Sequence, residues 1–521
     1  MNLMPLWKKT ISRGIFPHYC SSYHLRLSYA FTSIYNLLTL SANGKRNHES
    51  YSEQKYWYWI YASPSPSQRY AHLEGTHVDI QNSIFLLQGG TESFSAVTSG
   101  RKLHAEATVH SGADYMIPIP VEAWNPYIRF AVISIQTYTL SEGIKFSFTD
   151  SGAPPNAVNY VTVLFLHGGM FNAYQFHKIH SHAHSLNLRT VILHRRDYEG
   201  STPYSPEELE ELEQGSVVFW ERLSAQIAEF LEIFIMREKI PKLTRRKLPF
   251  SQDRLQLQSM RASSESVGGR SGGVAIFGWS AGCSTVLSFL GASHNPMISQ
   301  ESYKLLEEYI GNCILYDPTY LCFGYTLPSD NRNYIPWADP TVAPEDIPRA
   351  VSEWVSSYYD HPCYDPISGS LPVTATIHDL DGTRTKSDEI TISSWTDEEL
   401  VKGIEGVPAK NEMLAFQPPV QNTLHLLSDR AFFDQTNVTT WFPDVDVLYL
   451  GGTRSNWMCA WGEIETKKRY LQARSRKDSH VREVQFFDMD GLNHLAHWDQ
   501  TQEFLQVVAE GIQLHCLGRW S

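Results

Sequence analysis

Ser280 stands in Gly278-Trp279-Ser280-Ala281-Gly282, at the end of the apolar run Gly273-Val274-Ala275-Ile276-Phe277. A G-x-S-x-G pattern between a strand and a helix forces the serine into a strained turn and lifts its hydroxyl clear of the sheet edge. The residues after it, Ser284 to Leu290, read as a buried helix. A serine hydroxyl is a weak nucleophile at neutral pH, so such a turn demands a base elsewhere in the chain and donors for a developing oxyanion.

A base is present downstream. The strand-like Glu483-Val484-Gln485-Phe486-Phe487 runs into Asp488-Met489-Asp490-Gly491-Leu492-Asn493-His494, and an amphipathic terminal helix begins near Gln502. Gly491 and Asn493 give loop chemistry, so His494 hangs from a loop after the last strand; His497, closer to the helix, is the competing base. Upstream, the strand-like Tyr160–Leu166 ends in His167-Gly168-Gly169-Met170. The backbone N–H of Gly169 or Met170, together with that of Ala281, is placed to receive an oxyanion.

These residues carry a resemblance: the chain looks like an α/β hydrolase of the serine esterase or lipase type, over roughly residues 120 to 515. The turn His194-Arg195-Arg196-Asp197-Tyr198-Glu199-Gly200-Ser201 is similar to one after the fourth strand of uncharacterised fungal members, which implies structural roles for Arg196 and Asp197. The resemblance implies an α/β fold: a mostly parallel sheet flanked by helices, a mainly helical cap between strands 6 and 7, and here a loose N-terminal region. It implies a triad acid as well. The usual place after the seventh strand, Val445–Leu450, holds Thr453 and no carboxylate, and Glu463 lies ten residues beyond it. Some relatives take the acid from the end of the sixth strand, where Cys313-Ile314-Leu315-Tyr316 meets Asp317. The expected triad is therefore Ser280, His494 and Asp317, with Glu463 or no acid as the alternatives.

The expected organisation is an N-terminal extension over 1–115, a hydrolase core over 116–324 with a flexible insertion near 242–272, a cap over 325–443, and the rest of the core over 444–521. A long helix is expected from Pro206, started by Ser205 and continuing through Phe234. Nine cap aromatics are candidates to line an apolar pocket: Trp337, Trp354, Tyr358, Tyr359, Trp395, Phe416, Phe432, Phe433 and Trp441.

Composition sets limits. A net charge of -13 and the lack of a basic stripe argue against nucleic acid, and no apolar run approaches the ~18 residues of a membrane span. Seven scattered cysteines without a Cys-x-x-Cys pair suggest reduced thiols and a cytoplasmic home. Residues 1–48, basic and without Asp or Glu, give a mitochondrial transit peptide as the alternative. Asp379-Leu380-Asp381-Gly382-Thr383 copies a phosphatase signature without its preceding apolar strand, and His177, His180, His182 and His184 lack the Asp of a metal motif. No metal or cofactor is expected, and the oligomeric state is open. The reaction expected is hydrolysis of an ester or similar acyl bond in a small, largely apolar substrate through an acyl-enzyme; an elbow carboxylate, as in epoxide hydrolases, is missing. A catalytically inactive relative that binds a ligand or a protein is the alternative.

Overall fold

The computed structural model describes residues 133–244, 271–384, 389–476 and 480–514, together with the backbone of five earlier strands. The chain falls into two units, Met1–Ile135 and Gln136–Ser521. In the first, Tyr56–Tyr61 pairs antiparallel with Tyr70–Gly75 and with Ile133–Ser134, and Ser83–Leu87, Ser93–Thr98 and Arg101–Glu106 form a second antiparallel sheet. The sequence assigns no fold here. Apart from the aromatic run Tyr56–Tyr61, these are strands of five or six residues with little sustained alternation, too short to show a buried face. The transit-peptide reading of residues 1–48 lies outside the described residues.

The second unit is built on an eight-stranded sheet. Its strands are β1 (Gln136–Thr139), β2 (Lys145–Asp150), β3 (Val161–Leu166), β4 (Leu188–Leu193), β5 (Val274–Trp279), β6 (Ile310–Tyr316), β7 (Asp446–Gly452) and β8 (Val484–Met489). Their spatial order is β1-β2-β4-β3-β5-β6-β7-β8. The β1–β2 and β2–β4 pairs are antiparallel, and every pair from β4 to β8 is parallel. A parallel sheet must be covered on both faces, and β3 to β6 are buried along their whole length. Alternation divides their side chains: Leu164 and Leu166 join one core with Phe230, Phe234 and Val286, while Val163 and Phe165 join another with Phe176, Phe504 and Val508.

The helix expected from Pro206 is two helices. The first, α1 (Pro206–Glu213), starts in a capping box between Ser205 and Glu208. Gly215, with φ of 68°, turns the chain, and Ser216 caps α2 (Val217–Glu238). The second start was hidden because the apolar periodicity resumes after only three residues. Beyond α2, residues 245–270 of the expected insertion lie outside the described residues; Thr244 and Ser271 at its ends exchange backbone hydrogen bonds of 2.8 and 3.2 Å.

Helix α3 (Gly282–Gly291) follows β5 directly. The segment between β6 and β7 carries α4 (Ile347–Val355), α5 (Asp397–Gly403), α6 (Gly406–Glu412) and α7 (Pro418–Phe432), after which α8 (Trp457–Arg474) follows β7 and α9 (Thr501–Leu514) closes the described chain. Among the described residues no helix is long and apolar enough to cross a membrane.

Buried Arg482, just before β8, ties down the end of the inserted segment. Nε donates to the Ala431 carbonyl, Nη1 to those of Phe442 and Val445, and Nη2 to that of Trp441, at 2.7 to 3.1 Å. Only a guanidinium fork offers donors in this spread. Burial pulls its pKa down to about 10, so it remains charged at neutral pH. Arg482→Met strands these carbonyls and should cost roughly 3–5 kcal/mol of unfolding free energy in urea titrations. A loss below about 1 kcal/mol would show that they find other donors.

Candidate active site

The turn between β5 and α3 leaves no room for a larger residue at its end. A Cβ on Gly282 would lie 2.4 Å from the Leu166 carbonyl oxygen, and Ser280 takes the left-handed region at φ of 51°. This conformation costs a non-glycine residue on the order of 1–3 kcal/mol. It is held by Ser280 N–H donating to Tyr316 O at 3.0 Å and by Cys283 N–H donating to Ser280 O at 2.9 Å. Ser280 is half-buried and lines a cavity.

His494 lies on the loop after β8 and lines the same cavity. Its Nδ1 is 2.6 Å from Asp317 Oδ2, and both side chains are nearly completely buried. Asp317, directly after β6, is also left-handed, with φ of 48°, and its N–H donates to Leu450 O at 2.7 Å. The carboxylate accepts two further bonds, from Gly452 N–H at 3.1 Å on Oδ1 and from the Ser455 hydroxyl at 2.6 Å on Oδ2. The His494 carbonyl is clamped in turn by Trp279 Nε1 and the Tyr316 hydroxyl, each at 3.0 Å. Cys459 Sγ lies 3.5 Å from Nδ1. Among the described hydrogen bonds none joins Ser280 Oγ to the His494 ring; such bonds are commonly long in resting sites and tighten with substrate.

The competing residues are elsewhere. His497 is fully buried between Phe176 and Trp279, with Nδ1 3.4 Å from the Tyr316 hydroxyl, and burial drives its pKa well down. Glu463 sits on α8 with Oε1 2.5 Å from Lys467 Nζ, which also pairs with Asp488 at 2.6 Å. Thr453, where an acid is usual, accepts from Gly491 N–H at 2.8 Å.

Of the three expected oxyanion residues, Gly169 and Ala281 have backbone N–H groups without an acceptor among the described residues, and both line the cavity. A Cβ on Gly169 would lie 3.4 Å from that of Ala281. Met170 differs: its N–H donates to the Tyr198 hydroxyl at 2.7 Å and to Glu412 Oε2 at 2.9 Å. Arg196 is buried against Glu208, Gln226 and two carbonyls, and Asp197 accepts from Tyr204 N–H and Asn411 Nδ2.

Strand order, antiparallel β2, a left-handed serine after β5 and a histidine loop after β8 now stand together. The second unit has the α/β-hydrolase fold. No family model and no curated relative matches the chain. Among solved structures, it is similar to a protein assigned as an aryl esterase from Burkholderia cenocepacia, at 10% identity and TM-score 0.32, over 74% of this chain and 100% of that one. It is similar also to epoxide hydrolases from Mycobacterium thermoresistibile (12%, TM-score 0.34, 73% of this chain and 98% of that one) and from Solanum tuberosum (11%, 0.38, 73% and 99%).

Within this α/β-hydrolase unit the cavity measures about 470 Å³ and is walled mainly by apolar side chains. Of the nine aromatics expected to line it, Trp337, Trp354 and Phe416 do. Tyr359, Phe432 and Trp441 pack into the core on one face of the sheet, and Trp395 into that on the other. Part of the apolar wall comes from α1 and α2, through Leu212, Phe219, Trp220 and Leu223. The sequence alone assigns these four residues no role at the site. The His177–His184 cluster disperses: His180 bridges Thr149 and Thr190, His177 stacks on Tyr174, and His184 meets the Gly152 carbonyl.

Burial, and then the neighbouring Asp488 carboxylate working against the Lys467 charge, hold the Glu463 carboxyl pKa well above its ordinary value of 4.5. The folded chain keeps a proton that the unfolded chain has released, so this group's contribution to stability falls as pH rises from that value toward the raised one. Glu463→Gln should lose less stability than the parent between pH 5 and pH 8 in denaturant melts. An unchanged slope would mean Glu463 is ionised in the folded chain.

Proposed function

We propose that the protein is a serine hydrolase that cleaves an ester or similar acyl bond of a small, largely apolar substrate through an acyl-enzyme. The observation that carries this reading is the buried 2.6 Å contact of Asp317 with His494 Nδ1, on the wall of the cavity that Ser280 opens into. Asp317 holds the imidazole in the tautomer that leaves Nε2 able to take a proton, and it stabilises the imidazolium that follows. His494 takes the Ser280 proton as Oγ attacks the carbonyl carbon, then returns it to the leaving alcohol. Water, deprotonated by the same ring, attacks the acyl-enzyme and releases the acid and free Ser280. The oxyanion of each tetrahedral intermediate is received by the N–H groups of Ala281 and Gly169, each worth about 3 kcal/mol in such a site.

Epoxide opening by a nucleophilic carboxylate is not the reading supported, because position 280 is serine. The segment between β6 and β7 acts as the cap: with α1 and α2 it surrounds the acyl or alcohol group with apolar surface and thins the water around the reacting atoms.

A fluorophosphonate probe should label the parent protein once, and Ser280→Ala should abolish labelling. Absence of labelling in the parent, with ligand binding retained, would favour the inactive, ligand-binding alternative. With nitrophenyl esters of rising chain length, turnover should favour short to medium acyl groups. Asp317→Asn should lower kcat on the best of them by on the order of 10³–10⁴-fold, since it favours the wrong tautomer. Near-parent turnover in that variant would remove Asp317 from the mechanism.

A further inference from the structure

Met170 follows the two glycines of the oxyanion loop and takes the left-handed region, with φ of 65°. A long side chain in this region costs on the order of 1–3 kcal/mol, so the surroundings must impose the conformation. Both of its backbone groups are held by the segment between β6 and β7. Glu412 Oε2 accepts from Met170 N–H at 2.9 Å, and Glu405 N–H donates to Met170 O at 2.8 Å. The Tyr198 hydroxyl shares the first of these contacts: it accepts from Met170 N–H at 2.7 Å and donates to Glu412 Oε2 at 2.8 Å. Glu412 Oε1 forms an ion pair at 2.8 Å with Arg195 Nη1, which donates to the carbonyls of Gly168 at 2.9 Å and His167 at 3.2 Å.

The oxyanion loop is therefore gripped along its length by one carboxylate and its partners. A Cβ on Gly169 would stand only 2.9 Å from Glu412 Oε2, so the carboxylate lies close beside the N–H proposed to receive the oxyanion. An unpaired negative charge there would oppose a second one forming. The Arg195 guanidinium offsets it, and this lets a carboxylate serve where its charge alone would hinder.

We infer that Glu412 is a positioning residue: through Met170, Tyr198 and Arg195 it sets the backbone of Gly169 in the orientation that receives the oxyanion, so this half of the oxyanion hole exists only while α6 is docked on the core. The inference rests on the serine-hydrolase reading. It makes the cap part of the transition-state machinery in addition to the pocket wall. The docking itself is separately secured, by Asn172 Nδ2 donating to Lys402 O and Glu405 Oε1, each at 2.7 Å, and by the antiparallel bridge between Phe171 and Ile404.

The test compares full-length parent, Glu412→Ala and Glu412→Gln for their rates of fluorophosphonate labelling, kcat and KM on a nitrophenyl ester, and melting temperature. The Ala variant should label and turn over at least ~10-fold more slowly, with KM within about threefold, because the donor acts on the oxyanion more than on the ground state. The Gln variant, whose amide oxygen still accepts from Met170 N–H, should lie between the two, and melting temperatures should stay close to the parent's. Labelling of Glu412→Ala within twofold of the parent overturns the inference and leaves the serine-hydrolase reading intact, as does a rise in KM at unchanged kcat. If the Ala variant does not fold, Glu412→Gln decides alone: slower labelling at parental KM supports the inference, and a parental rate overturns it. A parent protein unlabelled at Ser280 overturns both.

Discussion

A carboxylate taken out of water must have its lone pairs met, and around Asp317 this requirement organises the site. One oxygen accepts from Gly452 N–H, and the other from Ser455 and toward the His494 ring. The groups come from the ends of β6 and β7 and from the loop after β8. The parallel register, which sets Tyr316 beside Leu450 and Gly452 beside Met489, brings these three chain ends to one edge of the sheet. The His494 backbone is held in turn by Trp279 Nε1 and the Tyr316 hydroxyl, both donating to its carbonyl. Trp279 is the variable residue of the elbow itself, so the turn that exposes Ser280 also anchors the loop that carries His494.

The β7 loop serves the Asp317 carboxylate with donors and brings no carboxylate of its own to the His494 ring. Thr453 stands where an acid is usual, and the loop supplies N–H and hydroxyl donors to an acid that arrives from the neighbouring strand. Glu463, ten residues further on, has turned away to Lys467 and Asp488. The two acidic side chains thus differ in surroundings: Asp317 faces a histidine, and Glu463 lies between a lysine and a second carboxylate.

Much of this was legible in the residue order, for a physical reason. The elbow is a strained local turn, and strain restricts residue types at fixed spacing, so Ser280 stood out in the sequence, while the Gly-Gly loop pointed to Gly169 or Met170 without deciding between them. His494 was proposed from its loop, and Asp317 only through the resemblance to relatives that carry an acid after the sixth strand, since a single Asp at a strand end has no local signature. Ser455, Tyr198 and Glu412 carried no signal at all: each acts across a long sequence separation, and only tertiary packing assigns its partner. The aromatics erred in the same way, because apolar periodicity separates buried from exposed surface but cannot tell a cavity wall from a packed core. Hence Phe219 and Trp220 of α2 face the cavity while Trp441 does not.

The most direct test of the central claim is a crystal structure of the protein after reaction with a fluorophosphonate. The account predicts a covalent bond from phosphorus to Ser280 Oγ, with the phosphonyl oxygen within roughly 2.7–3.1 Å of the Gly169 and Ala281 N–H groups. His494 Nδ1 should still face Asp317. An adduct at another residue would contradict it, and so would an oxygen turned away from both N–H groups or an imidazole parted from Asp317.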